Sequence, residues 1–542
     1  MPRWLPHAIS LVLLVVAGAY FWGTAVSTGW ARLAALQTVE PYAFAVHEQL
    51  MYNFATSGEF SQTIHRGYDD SWTWSGHRAP TLPLTALVYG LHPTPLWLTQ
   101  IMLLSVLLGA IPAALLGQRA TGSGLGLAWG GLIYLTAPVT MVMALQDYQD
   151  LIYALPFLMF TIWAVASGRW WLSLLGVVVA ILPREECMLM GIAIAALCPP
   201  WEARPRRRGQ RIRRRWWLWG VNIVTAVLVV GLYTAWAQEH YPLEGQEYSM
   251  PLLSAIKSGT GASGGGRIYL EGWLYLEPFY SLLWIPLGLL ALAAPALTLP
   301  AVALILFHMT VPEGMGIDRS WSGHSHHLAP AAAFLLAAII QGGGRLLRWL
   351  AGRSRPRGML AACLGLLLLL WSGQSWLEWS RYYSLITGFT AQTPAWVHPA
   401  WSLVKELPED AVPIASKNNS IAISNHALSY TYDESLHTKS GGLGLGAGTH
   451  LIADTRKPDL IAWAMAMPGA AVVKEAAPFA LITWNAGAQD SLAQERIKIR
   501  KGQAWTGPYR KDADIPGVPP HEQRLTIRQG SFPVISLPWG HP

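Results

Sequence analysis

The stretch QDYQDLIYALPFLMFTIWAVASGRWWLSLLGVVVAILPREE, residues 146 to 186, decides the fold. Two apolar runs, 150 to 167 and 170 to 183, meet at Ser-Gly-Arg, and the remaining charges sit at the outer ends. A helix needs about 20 apolar residues to cross the hydrocarbon core, fewer where protein shields it. Outward from this stretch the pattern repeats. Between Ala79 and Pro183 the charged residues are Arg119, Asp147, Asp150 and Arg169, each where one apolar run gives way to the next. The same reading predicts transmembrane helices near 6 to 27, 94 to 117, 124 to 141, 150 to 167, 170 to 183, 186 to 199, 216 to 238, 275 to 295, 297 to 310, 327 to 343 and 358 to 377. PTLPLTALVYGL, 80 to 91, is too short and proline-rich to cross alone and reads as a half-helix or re-entrant element. The first run has the length of a signal peptide, but ten spans follow it, so it reads as a retained signal anchor.

Composition agrees. Apolar residues make up 52% of the 542 and charged residues 13%, about half the ~25% of a soluble domain. A mean hydropathy of +0.30 is too mild for a chain buried wholly in lipid, so part of it meets water. Disorder is excluded by 28 Trp and 19 Tyr. A disulfide scaffold is excluded because Cys187, Cys198 and Cys363 all lie in apolar runs. The net charge of +7 comes largely from two arginine clusters, Arg204 to Arg215 and Arg345 to Arg357, each squeezed between apolar segments. That is the positive-inside pattern, and with no surrounding domain to hold a groove it excludes nucleic acid as partner.

Placing both clusters in the cytoplasm closes the span count. The N-terminus, Arg119 and Arg169 then fall inside. Residues 28 to 79, 140 to 150, 183 to 186, 239 to 272, 311 to 326 and everything after 378 fall outside. The expected architecture is a polytopic α-helical membrane protein of about eleven helices, 1 to 377, followed by an extracytoplasmic α/β domain, 378 to 542. The α/β reading rests on VPIAS (412 to 416), SIAISNHA, LSYTY, HLIAD (450 to 454), PDLIAWAMA, AAVVKEA and FALITW (479 to 484), where β-rich and helix-like runs alternate. GGLGLGAG (441 to 448) lacks the Lys-Ser/Thr of a phosphate loop and reads as a plain loop; GASGGGR (261 to 267) fails the same test and is a candidate lid.

Ionisable groups near a membrane are costly, so their placement is informative. Nearly all fall on the outer face: Glu40, His47 and Glu48; Asp69, Asp70, His77 and Arg78; Asp147 and Asp150; Arg184, Glu185 and Glu186; Asp318, Arg319, His324, His326 and His327. A one-sided gathering of carboxylates, histidines and arginines describes a catalytic or binding face. In the first outer loop, Pro41 suits a helix start, and PYAFAVHEQLMYNFATSG predicts an amphipathic helix over 41 to 56 on the membrane surface. Glu40, Phe44, His47, Glu48 and Met51 share one arc of it, with Tyr42, Val46 and Leu50 largely opposite. Glu48 reads either as an ion pair anchoring that helix or as chemistry. Arg78, beside His77 and the half-helix, has the fork to grip a phosphate. Arg184-Glu185-Glu186 must be paired or face water, as an ion-pair knot or a binding site. Asp147 and Asp150 read as a solvated turn or as ligands for a sugar or a divalent ion such as Mg or Mn. GHSHHLAP (323 to 330) has no zinc-ligand spacing beside it.

The order of these motifs resembles a known family. Glu48-Gln49 in a loop helix, His77 to Pro83, PTPLWLTQ (93 to 100), DYQDLIYALP, Arg184-Glu185-Glu186, His327 to Pro330 and an α/β tail together look like the bacterial predicted membrane proteins that carry domain of unknown function two thousand seventy-nine. The resemblance covers about 40 to 485. That family is similar to the GT-C glycosyltransferases, which take a sugar from a polyprenyl-phosphate donor and use a carboxylate of the first outer loop as base. The resemblance therefore implies a GT-C-like enzyme of the cytoplasmic membrane, its tail outside, whose partners are the bilayer and a polyprenyl-phosphate-linked sugar. At YAFAVHEQ (42 to 49) the second acidic position of the family is Glu48, but the first is Ala43. Either Glu48 or Glu40 carries the role of base, or this branch has lost it. His47 would tune the base, and Arg184, His77, Arg78 and His327 would hold the leaving phosphate. Glu185, Glu186, Asp147 and Asp150 would hold sugar hydroxyls or the optional ion. Two other classes compete, a transporter or flippase of lipid-linked substrates and a non-catalytic scaffold that presents the outer domain.

Overall fold

The computed structural model describes residues 4–36, 41–58, 61–62, 64, 70–71, 79–197, 208–240, 288–310, 329–351, 395–408, 411–426, 429–432 and 449–485. The chain divides into two compact units, Met1–Val39 with Gly76–Gln392, and Glu40–Ser75 with Thr393–Pro542.

The first unit is helical. Its opening helix, α1 (Leu5–Ala34), has an apolar window of hydropathy 2.0 and exposes Leu11, Val12, Val15 and Val16, the face a lipid-borne helix presents. A second long apolar stretch, Pro95–Thr121, comprises two helices that meet at Gly109. Pro95 takes the first helical position, and the Thr94 side chain caps it by accepting from the Trp97 N–H at 3.2 Å. The helices Gly126–Thr136 and Pro138–Leu145 occupy the predicted span 124 to 141 but bend by 57° about the Ala137–Pro138 step, because proline forbids a straight helix there. A 3-10 turn (Asp150–Tyr153) leads into Ala154–Ala166, followed by Trp170–Ile181, Glu185–Leu197, Arg208–His240, Pro295–Thr310 and Ala329–Ala351. Among the described residues three helices are long and apolar enough to cross a membrane, or four if the bent pair is one span. The expected span 358 to 377 and most of 275 to 295 lie outside the described residues.

The half-helix expected at 80 to 91 forms over Thr81–Tyr89 and is anchored at both ends. The Thr81 N–H donates to the Leu182 carbonyl at 3.0 Å, and the Trp97 indole N–H donates to the Val88 carbonyl at 2.9 Å. Leu84 and Leu87 are exposed on one side, while Thr81, Leu82, Thr85 and Tyr89 are buried on the other.

Close helix packing depends on glycine where the helices Ala110–Thr121 and Gly126–Thr136 cross. A Cβ at Gly130 would run into the Ala113 carbonyl, a backbone atom that cannot swing aside. Gly130→Ala should therefore destabilise the fold by about 1–3 kcal/mol, the cost of overpacking. A lowered thermal unfolding midpoint in nanodiscs would register it, and an unchanged midpoint would contradict the crossing described.

The second unit holds a five-stranded sheet in the order Tyr430–Tyr432, Pro413–Ser416, His450–Asp454, Phe479–Thr483, Ala471–Ala476. Pro413–Ser416 runs parallel to both neighbours, and the remaining pairings are antiparallel. Ile414, Leu451, Ala453, Ala480 and Ile482 from the strands pack with Leu460 and Ala464 of helix Pro458–Met465. The β-rich SIAIS run differs from expectation. Its first four residues complete a 3-10 helix (Lys417–Ile423), in keeping with Ser and Asn side chains competing for backbone partners.

The helix α2 (Pro41–Ser57) forms where expected but in a different setting. Phe44 through Met51 are buried without a break, so along this stretch the described residues of both arcs are covered by protein. The expectation of a membrane-surface helix is corrected. Segment Glu40–Ser75, expected within the membrane domain, belongs to the unit of the α/β sheet. Side-chain bonds from Gln49, described below, are the physical reason.

Candidate functional site

The first unit collects its polar side chains where apolar helices end. The segment Gln146–Gln149 leaves the bent pair and enters the 3-10 turn. Asp147 there meets Arg32 from the last turn of α1, Nη2 to Oδ1 at 3.2 Å, with 5% and 6% of the side chains exposed. A second Arg32 nitrogen donates to the Leu145 carbonyl, so one guanidinium ties α1 to both ends of the turn. Three residues on, Asp150 accepts from the Leu151 N–H at 2.8 Å and stands 3.8 Å from Nη1 of Arg184. Arg184 and Asp150 are each 2% exposed at the side chain. Nearby, Thr85 and Tyr153 share a hydrogen bond of 3.1 Å, and the Tyr148 ring sits edge-on to Tyr153 at 6.1 Å.

The Asp150–Arg184 distance carries information. At 3.8 Å the charges attract, but the separation exceeds that of a hydrogen bond. Among the described residues, Arg184 Nε and Thr81 Oγ1 are buried with no hydrogen-bond partner. Buried polar atoms in folded proteins nearly always have partners, so two such donors near one turn stand out. Arg184 also directly precedes the helix Glu185–Leu197, whose first N–H groups have no intrahelical carbonyl.

In the second unit, Gln49 works as a three-way clamp. Its amide N–H₂ donates to the His426 carbonyl at 3.1 Å and to Ser429 Oγ at 2.9 Å, and its carbonyl accepts from the Ile64 N–H at 3.2 Å. Its neighbour Glu48 is fully buried. His47 Nδ1 lies 2.8 Å from the Ala43 carbonyl, to which it can only donate, leaving Nε2 of a neutral ring as an acceptor. Burial pushes the His426 imidazole below its ordinary range, which favours the neutral ring at pH 7. Gln49→Glu should destabilise this unit by about 1–3 kcal/mol, because a carboxylate keeps the acceptor for Ile64 but loses both donated bonds. Chemical unfolding followed on a second-unit tryptophan such as Trp484 tests this, and an unshifted midpoint would remove the clamp.

Of the residues singled out from sequence, Arg184 and Asp150 come together, and Asp147 is taken up by Arg32. A metal ion at Asp147 and Asp150 would have to displace a guanidinium from each. Among the described residues no group of three or more His, Cys, Asp or Glu could hold a metal. Glu185 and Glu186 open their helix, and their side chains lie outside what is described, as do Glu40, His77, Arg78 and His327. Arg32, Thr81 and Gln49 as clamp were missed. A lone arginine ending a long apolar helix reads as a flank, and Thr81 and Gln49 carry no charge to draw notice.

Apolar helices of this order define a polytopic membrane protein, and the solved structures agree on the fold. The chain superposes on the crystal structure of ArnT from Cupriavidus metallidurans bound to undecaprenyl phosphate with a TM-score of 0.53, at 12% identity, covering 88% of this chain and 98% of that one. The apo form of the same protein gives 0.49 at 14% identity, covering 87% and 97%. Residues 32–426 match the family described as "Predicted membrane protein (DUF2079)", and the chain belongs to that family. No curated protein sequence matches it.

Proposed function

We propose that the chain is a GT-C-like glycosyltransferase of a bacterial cytoplasmic membrane, with about eleven spans, a cytoplasmic N-terminus and an outer α/β domain, and that it takes a sugar from a polyprenyl-phosphate donor. One observation carries the reading: Arg184, 2% exposed at its side chain, has its Nε without a protein partner and its nearest anion at 3.8 Å. A buried guanidinium so loosely matched suits an anion that comes and goes, and the ArnT relative by fold binds undecaprenyl phosphate.

In this scheme the bond from the sugar's anomeric carbon to the phosphate oxygen breaks as a bond to the acceptor oxygen forms. The acceptor's proton passes to a carboxylate, and polyprenyl phosphate leaves with its new negative charge met by Arg184; the sequence alone makes Glu48 the candidate for the carboxylate. Arg78 and His327 are further candidates for that charge, and Glu185 and Glu186 for sugar hydroxyls. Asp147 is reassigned from sugar or metal binding to the Arg32 pair. Because Glu48 is fully buried, its use as a base requires the groups around it to part when acceptor binds.

Full-length protein in nanodiscs, supplied with undecaprenyl-phosphate hexoses and pentoses and a membrane extract as acceptor, should release undecaprenyl phosphate with at least one donor, read by mass spectrometry. No release with any donor, together with an unchanged profile of lipid-linked sugars in a deletion strain, would overturn the proposal.

A further inference from the structure

Around Arg184 the structure contains more than one arginine needs. Thr81 is hydrogen-bonded through its own N–H to Leu182, two residues before Arg184, and its hydroxyl is buried without a partner. The helix Glu185–Leu197 begins at the next residue and supplies backbone donors and the positive end of its dipole. A guanidinium, a hydroxyl and a helix start therefore lie close to the Leu182 carbonyl along the chain or through the Thr81 N–H bond. Among the described residues the carboxylate paired with Arg184 is Asp150, which is restrained by the Leu151 N–H at 2.8 Å and stays 3.8 Å away, too far to hydrogen-bond the guanidinium.

We infer that Thr81, Arg184 and the first turn of Glu185–Leu197 form a seat for a phosphate monoester, and that Asp150 is its resident counter-ion, displaced electrostatically each time phosphate binds. The inference rests on the polyprenyl-phosphate reading and adds a ligand, Thr81, and a competitor, Asp150. Isolated buried charge is costly, so an arginine waiting for phosphate needs a carboxylate to neutralise it. A carboxylate at full hydrogen-bond range would hold the arginine too well. Held slightly off, Asp150 stabilises the unliganded state and weakens phosphate binding by like-charge repulsion, which lets the spent lipid carrier leave after transfer.

The test measures binding of undecaprenyl phosphate to the full-length protein in nanodiscs by native mass spectrometry. Asp150→Asn keeps an acceptor for the Leu151 N–H and removes the charge. It should bind the lipid about tenfold more tightly than the unmodified protein, the effect of roughly 1.4 kcal/mol of relieved repulsion. Thr81→Val should bind less tightly, and Arg184→Gln should lose most binding. Inorganic phosphate, the headgroup chemistry without its lipid, should compete with the lipid most strongly in Asp150→Asn. If it competes in none of the proteins, the seat does not read phosphate and the inference fails. Equal or weaker lipid binding by Asp150→Asn, or unaltered binding by Thr81→Val, would also overturn it while a weakened Arg184→Gln leaves the broader reading standing. If Arg184→Gln binds like the unmodified protein, the broader reading falls as well. Should Asp150→Asn fold poorly, the neutral pair Asp150→Asn with Arg184→Gln restores charge balance. Because the repulsion acts directly between Asp150 and the phosphate, that pair should bind more tightly than Arg184→Gln alone, and equal or weaker binding would overturn the role given to Asp150.

Discussion

Glu48→Gln is expected to reduce sugar transfer by about 10²–10⁴-fold, the range typical of losing a general base. Glutamine matches glutamate in size and keeps one carbonyl oxygen, so the fold changes little, while the group that would take the acceptor's proton is gone. The alternative role for Glu48 is structural, and the two roles separate by measurement. A fully buried carboxylate serving only as an anchor would, when neutralised, shift the unfolding midpoint and leave turnover per folded molecule intact. A base would leave the midpoint near its original value and abolish turnover at saturating donor. The neighbouring ring sharpens the comparison. His47 directs Nδ1 to the Ala43 carbonyl, which fixes its tautomer, so His47→Asn should alter the pH profile of transfer more than its stability if the ring tunes the carboxylate. Activity retained in Glu48→Gln would move the role of base to Glu40, and activity retained in the double Gln variant would remove first-loop carboxylates from the mechanism.

The apolar helices were legible because charge is so scarce that every exception marks a boundary. Asp150 and Arg184 sit where their runs end, and the cost of burying Arg184 already required that it be paired or face water. The half-helix was legible from length and prolines. Helix α2 was legible as a helix, from Pro41 and its period, but its setting was not. The bonds that bury it run from Gln49 to His426 and Ser429, separated by 377 and 380 positions, and amphipathic spacing says nothing about a partner so distant. Periodicity reports that a helix has an apolar face, not whether lipid or a sheet will cover it. The same limit applied to Asp147. With Asp150 at i,i+3 it read as a solvated turn or as half of a ligand set, because the guanidinium that claims it lies 115 positions earlier.

That guanidinium should matter greatly for stability. Arg32→Met or Asp147→Leu alone should cost about 3–5 kcal/mol, since each leaves its former partner charged in a site with almost no access to water. The paired change Arg32→Met with Asp147→Leu should cost less than either single change, because it removes both charges together; the Leu145 carbonyl still loses its donor, worth about 1–3 kcal/mol. Unfolding midpoints of the four proteins in one lipid composition give the coupling directly. The cycle also separates two functions for Asp147. If Asp147 holds a sugar hydroxyl or a metal ion, the folded double variant will bind donor poorly whatever its stability. If Asp147 exists to be held by Arg32, the folded double variant will turn over at a rate set by how well the turn still presents Asp150 to Arg184. Donor affinity should then follow the Asp150–Arg184 pair rather than the charge at position 147. Additive single effects would mean that the two side chains do not share an ion pair, and α1 would lose its hold on the turn that carries Asp150.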